Sequence, residues 1–216
     1  PVFLKPDADQ YLAQLARVKG PSGRNDRSWL STPPSADTLP LPHRRVEVEI
    51  LRPILAAVRG EKSVEIFYQS MSKKHSEPVW RGISPHAFGS DGMRWHVRAF
   101  CHIDQKFKDF LLSRCMDVRP LGEAKARAEN DRAWSDYFDV ILEPNPELEE
   151  NQRKVIELDF DMRKGKTAIP VRRALLFYFN KRLRLDMANI LDDPREVPVI
   201  VGNRKAFDAA LANGSR

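Results

Sequence analysis

The sequence predicts an α+β protein in which a small β-barrel, led by a helix, is followed by a small α/β extension. Three observations carry that prediction. Four apolar segments between Val64 and Val118 alternate with a period of two, the flanking stretches switch to helical spacing, and Asp91-Gly92 sits between the second and third segments. A tight hairpin needs residues that tolerate positive φ at that point.

Residues 8–18 hold Tyr11, Leu12, Leu15 and Val18 at helical spacing and predict a short helix. Residues 20–42 contain Pro21, Pro33, Pro34, Pro40 and Pro42, a composition that sustains neither a long helix nor a central strand and predicts a surface linker. Residues 46–59 place Ile50, Leu51, Ile54, Leu55 and Val58 on one stripe, with Pro53 assigned to a first turn and Gly60 to the stop. The four strands are expected at 64–71, 78–88, 93–103 and 107–118, and a meander of this size curls into a small barrel.

Beyond them, residues 123–138 are expected to be helical or irregular, and 140–147, carrying Pro144 and Pro146, to form an edge strand at most. Residues 154–162 alternate again, 171–183 carry a helical stripe through Ala174, Leu175, Tyr178 and Phe179, and 197–201 suggest one more strand. The expected domains are therefore a helix and linker at 1–45, the barrel with its leading helix at 46–122, a connector at 123–150 and an α/β extension at 151–216.

No apolar run approaches the roughly 20 residues that span a bilayer, so a membrane role is not expected. Lys and Arg number 36 against 30 for Asp and Glu, a net charge of +6 that favours polyanionic partners. Cys101 and Cys115 form no Cys-x-x-Cys pair, which argues for reduced thiols in a cytoplasmic protein and against a zinc knuckle or disulfide framework. The chain opens at Pro1 without a basic and apolar leader and is read as a fragment whose upstream segment is absent.

The third strand is the most informative. Alternation sends Met93, Trp95, Val97, Ala99, Cys101 and Ile103 to a core face and Arg94, His96, Arg98, Phe100 and His102 to the other. Neighbouring strands add Arg81 and His86, Lys108 and Arg114, and Tyr68 and Ser70. Guanidinium forks bind phosphate or carboxylate bidentately while imidazole and hydroxyl groups orient it, so an anionic ligand fits this face, and Tyr68 or Phe100 could stack on a base.

A basic face that merely solvates the barrel is the alternative. Tyr68 could equally cap the core, His86 satisfy a turn carbonyl and Arg114 brace a helix. Trp95 is assigned to the core, so Trp95→Ala is expected to lose roughly 3 to 5 kcal/mol. No Gly-x-Ser-x-Gly elbow, phosphate-cradling glycine loop or His-Glu-x-x-His helix occurs, and an enzyme is not expected. Cys101 points away from His96 and His102 on a regular strand, so neither a metal site nor a cofactor is expected.

Several motifs in order resemble a WYL domain. They are Ile66-Phe67-Tyr68 with Ser70, Arg81-Gly82-Ile83-Ser84-Pro85-His86, the run from Asp91 to Cys101 containing Trp95-His96-Val97 as the namesake triplet, and Lys108 to Arg114. Asp131 to Trp134, Pro144-Asn145-Pro146, Gln152 and residues 174–186 are similar to the C-terminal extension that accompanies such domains. The wording of the motifs is similar to WYL regulators of the CapW and BrxR type that control anti-phage defence loci. His96 for the second namesake residue, Val97 for Leu and Cys115 for an aliphatic are departures.

The resemblance implies an Sm-like or SH3-like barrel, a homodimeric repressor, operator DNA read by a winged helix upstream, and a nucleotide or nucleic-acid signal at the WYL domain. It implies a ligand site of Tyr68, Ser70, Arg81, His86, His96, Arg98 and Arg114. Two functions follow: a ligand-responsive regulator, or a constitutive single-stranded nucleic-acid-binding module without a switch.

Overall fold

The computed structural model describes residues 44–71, 77–188 and 190–214, together with 12, 13, 39 and 42. The expected helix at 8–18 and linker at 20–42 fall almost wholly outside the described residues. The chain divides into two units, Pro1–His43 and Arg44–Arg216, and both sheets belong to the second.

Helix α1 (Val48–Gly60) presents Ile50, Ile54 and Ala57 inward at the spacing of one helical face. Pro53 lies inside this helix and not in its first turn, so the N–H that would reach back to Glu49 is missing from the ladder. The left-handed stop is Glu61, φ 49°, whose N–H bonds to the carbonyl of Ala57, while Gly60 is still helical.

Five antiparallel strands follow: β1 (Lys62–Tyr68), β2 (Val79–Ser90), β3 (Trp95–Cys101), β4 (Lys106–Leu111) and β5 (Cys115–Glu123). Their order is β4-β3-β2-β1-β5, so the described strands leave two edges and do not close into a barrel. The sheet is nevertheless strongly curled. The edges of a flat five-stranded sheet stand about 19 Å apart, whereas Leu111 to Cys115 spans at most about 14 Å of chain, and that short 3₁₀ turn, Leu112–Arg114, joins the two edges. Register shifts between Pro85 and Ala87 and between Phe67 and Tyr68 supply local bends. α1 covers one face, where Ile54, Ile66, Ile83, Val97, Ala99 and Phe110 form the core.

The second sheet has the order β7-β6-β8, from β6 (Tyr137–Pro144), β7 (Thr167–Arg172) and β8 (Val199–Val201). It packs with α3 (Glu150–Asp159), α4 (Leu176–Arg182) and α5 (Arg204–Gly214) around Val140, Leu142, Leu176, Val199 and Phe207. A short helix, α2 (Arg132–Ser135), precedes it.

Three expectations change here. β6 is the central strand, not an edge, because Pro144 is its last residue and the six residues from Tyr137 to Leu142 are free to pair with β7. The segment expected to be a connector thus gives its second half to this sheet. Residues 154–162 are largely helical, since Glu149 and Gln152 close a capping box that starts α3. The helix expected over 171–183 is confined to α4, because β7 runs to Arg172. Among the described residues no helix is long and apolar enough to cross a membrane.

Candidate ligand site at the seam between the two sheets

Alternation along β3 holds as expected for Val97, Ala99 and Cys101, which face α1, and for His96 and Arg98, which face the other way. That second face is not open to solvent. His96 and Arg98 are both buried, because α2 and α4 close over them. Trp95 is 58% exposed and so does not belong to the core. It shares the helix-side face by alternation but stands at the first position of β3, at the hairpin end of the strand. Met93 and Ile103, also assigned to the core face, lie beyond the strand and are exposed.

The centre of the seam is Asp131, the N-cap of α2. Its carboxylate accepts from Arg98 Nε at 2.7 Å and Nη2 at 3.1 Å and lies 3.0 Å from His86 Nε2. His86 is the unpaired residue of the β2 bulge, which turns its ring toward this corner. Asp109, the register partner of Arg98 on β4, takes Arg98 Nη1 at 3.4 Å and accepts the phenol proton of Tyr178 at 3.0 Å. Tyr178, on α4, stacks on the His96 ring at 4.7 Å and 23°. That ring lies over Gly89: a Cβ there would stand 2.5 Å from His96 Nε2.

Electrostatics follow from this packing. Burial alone would raise the Asp131 carboxyl, but His86 and Arg98 outweigh it and hold it down at about 2. Burial opposes the Arg98 charge, yet Asp131 and Asp109 raise its pKa further. Burial lowers His96, which is therefore neutral, and among the described residues neither of its ring nitrogens has a hydrogen-bond partner. Burial and the Asp109 carboxylate raise Tyr178.

The seven residues expected to form one ligand recess occupy three places. His86, His96 and Arg98 meet in the seam. Arg81 lies on the α1 side, opposite Ile66, where its guanidinium is 3.3 Å from Asp104, itself 2.9 Å from Lys108. Tyr68 is buried, its hydroxyl accepting the Leu111 N–H at 3.2 Å and its ring edge-on to Phe110. Arg114 and Ser70 sit at the same end of β1, with Arg114 Nη2 2.8 Å from Met71 Sδ and its carbonyl accepting the Gln69 N–H. The period of a strand says which face a residue takes, but not which carboxylate another element will lay over it.

One cleft was not anticipated. It has a volume of about 470 Å³ and opens between the β2–β3 hairpin and α4, on the outer side of Tyr178. Arg44, Arg94, Lys181 and Arg182 line it with Asp91, and Met93 and Phe177 supply apolar walls. Asp91 is committed to the turn: it accepts the N–H groups of Met93 and Arg94 at 3.0 Å each and pairs with Arg94 Nε at 2.7 Å. Lys181 pairs with Asp186. Among the described residues neither Arg44 nor Arg182 has an ion pair, so the cleft keeps positive charge in excess. The sequence signal was present in the Lys181-Arg182 pair at the end of a helical stripe, but nothing in it placed that end beside the hairpin.

Residues 49–120 match the WYL domain family. Residues 137–207 match the family described as BrxR transcriptional regulator, C-terminal dimerization domain. The DNA-binding transcriptional repressor CapW of Pseudomonas aeruginosa is 36% identical over 203 residues, covering 94% of this chain and 67% of that protein. CapW of Stenotrophomonas maltophilia is 34% identical over 204 residues, 94% of this chain and 68% of its own length. CapW of Escherichia coli is 32% identical over 211 residues, 98% and 70% respectively. Among solved structures, proteasome accessory factor B/C of Arthrobacter aurescens covers 80% of this chain and 28% of that one, at 19% identity and a TM-score of 0.34.

Proposed function

This chain belongs to the WYL-domain transcriptional regulators of the CapW and BrxR type, and from that premise we propose that its seam senses an anionic, nucleotide-like ligand on behalf of a homodimeric repressor. The observation that carries the reading is the cleft whose walls come from the parts of the chain that build the two sheets, the WYL hairpin and the first helix after β7, with four cationic side chains and one carboxylate. A phosphate fits guanidinium groups, and Phe177 and Met93 offer an apolar wall to a base. Occupancy engages the hairpin and the helix at once, as a ligand must if it is to bias two arrangements of a dimer.

Within this reading the seven expected ligand residues take two roles. Tyr178 separates the cleft from His96, and Asp109, Arg98, Asp131 and His86 extend the contact chain across the seam. They transmit. Ser70 and Arg114, with the buried Tyr68 behind them, mark a second place where a longer oligonucleotide could reach the sheet; Arg81 lies apart, buried on the α1 side against Asp104. The forced curl of the five strands supports reading the sheet as the small Sm-like or SH3-like barrel of these regulators. Homodimerisation through residues 137–207, operator DNA read by an upstream winged helix, a phage-defence locus as target and a cytoplasmic setting rest on the family.

Fluorescence anisotropy with labelled cyclic nucleotides and short single-stranded oligonucleotides, at several salt concentrations, tests the reading. Saturable binding of one small species, lost in Arg182→Glu, supports a sensor. Binding that grows with oligonucleotide length, falls steeply with salt and discriminates nothing identifies the chain as a constitutive single-stranded nucleic-acid-binding module instead.

A further inference from the structure

Helix α3 rests Ile156 on the core of the second sheet but leaves Val155 and Leu158 open. Its sequence contains Val155, Ile156 and Leu158, yet none of its residues is buried; Val155 is 54% and Leu158 81% exposed. Three positions apart, these two share one side of the helix. Val155 also lines a shallow cleft of about 260 Å³ whose walls are Leu148, Gln152, Val155, Ile156, Arg195 and Pro198. A single exposed Leu needs no explanation, but a joined set on one element points to a partner.

Charge says which partner. Along the exposed side run Glu147, Glu149 and Glu150 at the start of α3, then Arg153 and Lys154, the latter 2.8 Å from Glu150, then Asp159 and Asp161, and Arg163, Lys164 and Lys166 in the turn just past its end. Two copies of α3 packed antiparallel about a two-fold axis midway between Val155 and Leu158 set Glu149 and Glu150 against the partner's basic turn, and Lys154 against the partner's Asp159. Only such an isologous contact makes one patch complementary to itself.

We propose that the open side of α3, centred on Val155 and Leu158 and continued by the Leu148–Pro198 cleft, is the surface through which two copies of this chain pair. The proposal rests on the homodimer reading above and adds where the contact lies and in which sense the helices run.

Sedimentation equilibrium on the whole chain over a wide concentration range tests it. The unaltered chain is expected to be dimeric at micromolar concentration. Leu158→Glu and Val155→Glu, both at exposed positions and checked for unchanged circular dichroism, are expected to raise the dimer dissociation constant at least a hundredfold. Met116→Glu, on the exposed part of β5, is expected to leave it unchanged. In parallel, Leu158→Cys is expected to give a covalent dimer under mild oxidation, since Cys101 and Cys115 are buried, whereas Met116→Cys is not. An unaltered chain that stays monomeric at every concentration overturns the homodimer reading itself. A dimer that survives both Glu substitutions, or fails to cross-link through Leu158→Cys, overturns this surface and leaves that reading standing.

Discussion

Arg98 and Asp131 form a two-point ion pair, Nε to Oδ2 at 2.7 Å and Nη2 to Oδ1 at 3.1 Å, between the third strand of the WYL sheet and the cap of α2. Both side chains are buried. A bidentate contact in such surroundings fixes orientation as well as distance, so it locks the sheet to the segment that leads into the dimerisation domain. Removing one partner strands a buried charge, which costs about 3–5 kcal/mol. Asp131→Asn is expected to lose about that much in urea titrations. The pair Arg98→Met with Asp131→Leu is expected to lose clearly less than the sum of the single changes.

The same carboxylate sets acid sensitivity. The folded Asp131 sits at about 2, against 3.8 for the ordinary group. Its contribution is therefore complete above pH 3.8 and disappears as the pH falls through the folded value, a loss of about 2–3 kcal/mol. The urea midpoint of the unaltered chain should fall steeply over that window. In Asp131→Asn, stability starts lower and the fall is shallower; an unchanged slope would mean that Asp131 does not carry it.

His96 acts in a higher window with the same sign. Burial lowers its folded pKa below 6.5, so on acidification the unfolded chain takes up a proton that the folded chain refuses. Stability should drop as pH falls below 6.5 and remain undiminished above it. His102 is lowered for the same first reason and adds to the drop. His96→Phe, which keeps a ring against Tyr178, is expected to flatten the part of the slope that His96 contributes.

Gly89 is required by the His96 ring. A Cβ at this position would lie 2.5 Å from Nε2, and the ring cannot retreat because Tyr178 stacks on it. Gly89→Ala is expected to cost about 1–3 kcal/mol by crowding. Most of that cost should vanish in a His96→Ala background, measured by a double-mutant cycle.

Trp95→Ala is expected to change stability by less than about 1 kcal/mol, as surface substitutions do, and not by the amount a core tryptophan would lose. Thermal melts distinguish the two outcomes directly.

What was legible in the chain follows one rule: patterns confined to neighbouring residues could be read from it. Alternation along β3 identified the two faces, Asp91-Gly92 marked the hairpin, and the stripe through Ile50 and Ile54 identified α1. Pro144 misled because a proline matters only where its N–H would have paired, and it stands at the end of β6. By itself the sequence determined the α+β class, the run of strands behind a leading helix, and a basic row on one strand face. The barrel it predicted is an antiparallel sheet with two edges, and its fourth expected strand is divided into β4 and β5 by the turn at Leu112–Arg114. Tertiary structure alone decided that Asp109 and Asp131 neutralise Arg98, that Tyr178 covers His96, and that Arg44, Arg94 and Arg182 line one cleft. Ion pairs between residues 33 positions apart leave no local periodicity; they exist because chain closure sets distant segments at contact distance, where charge and shape act irrespective of their spacing along the chain.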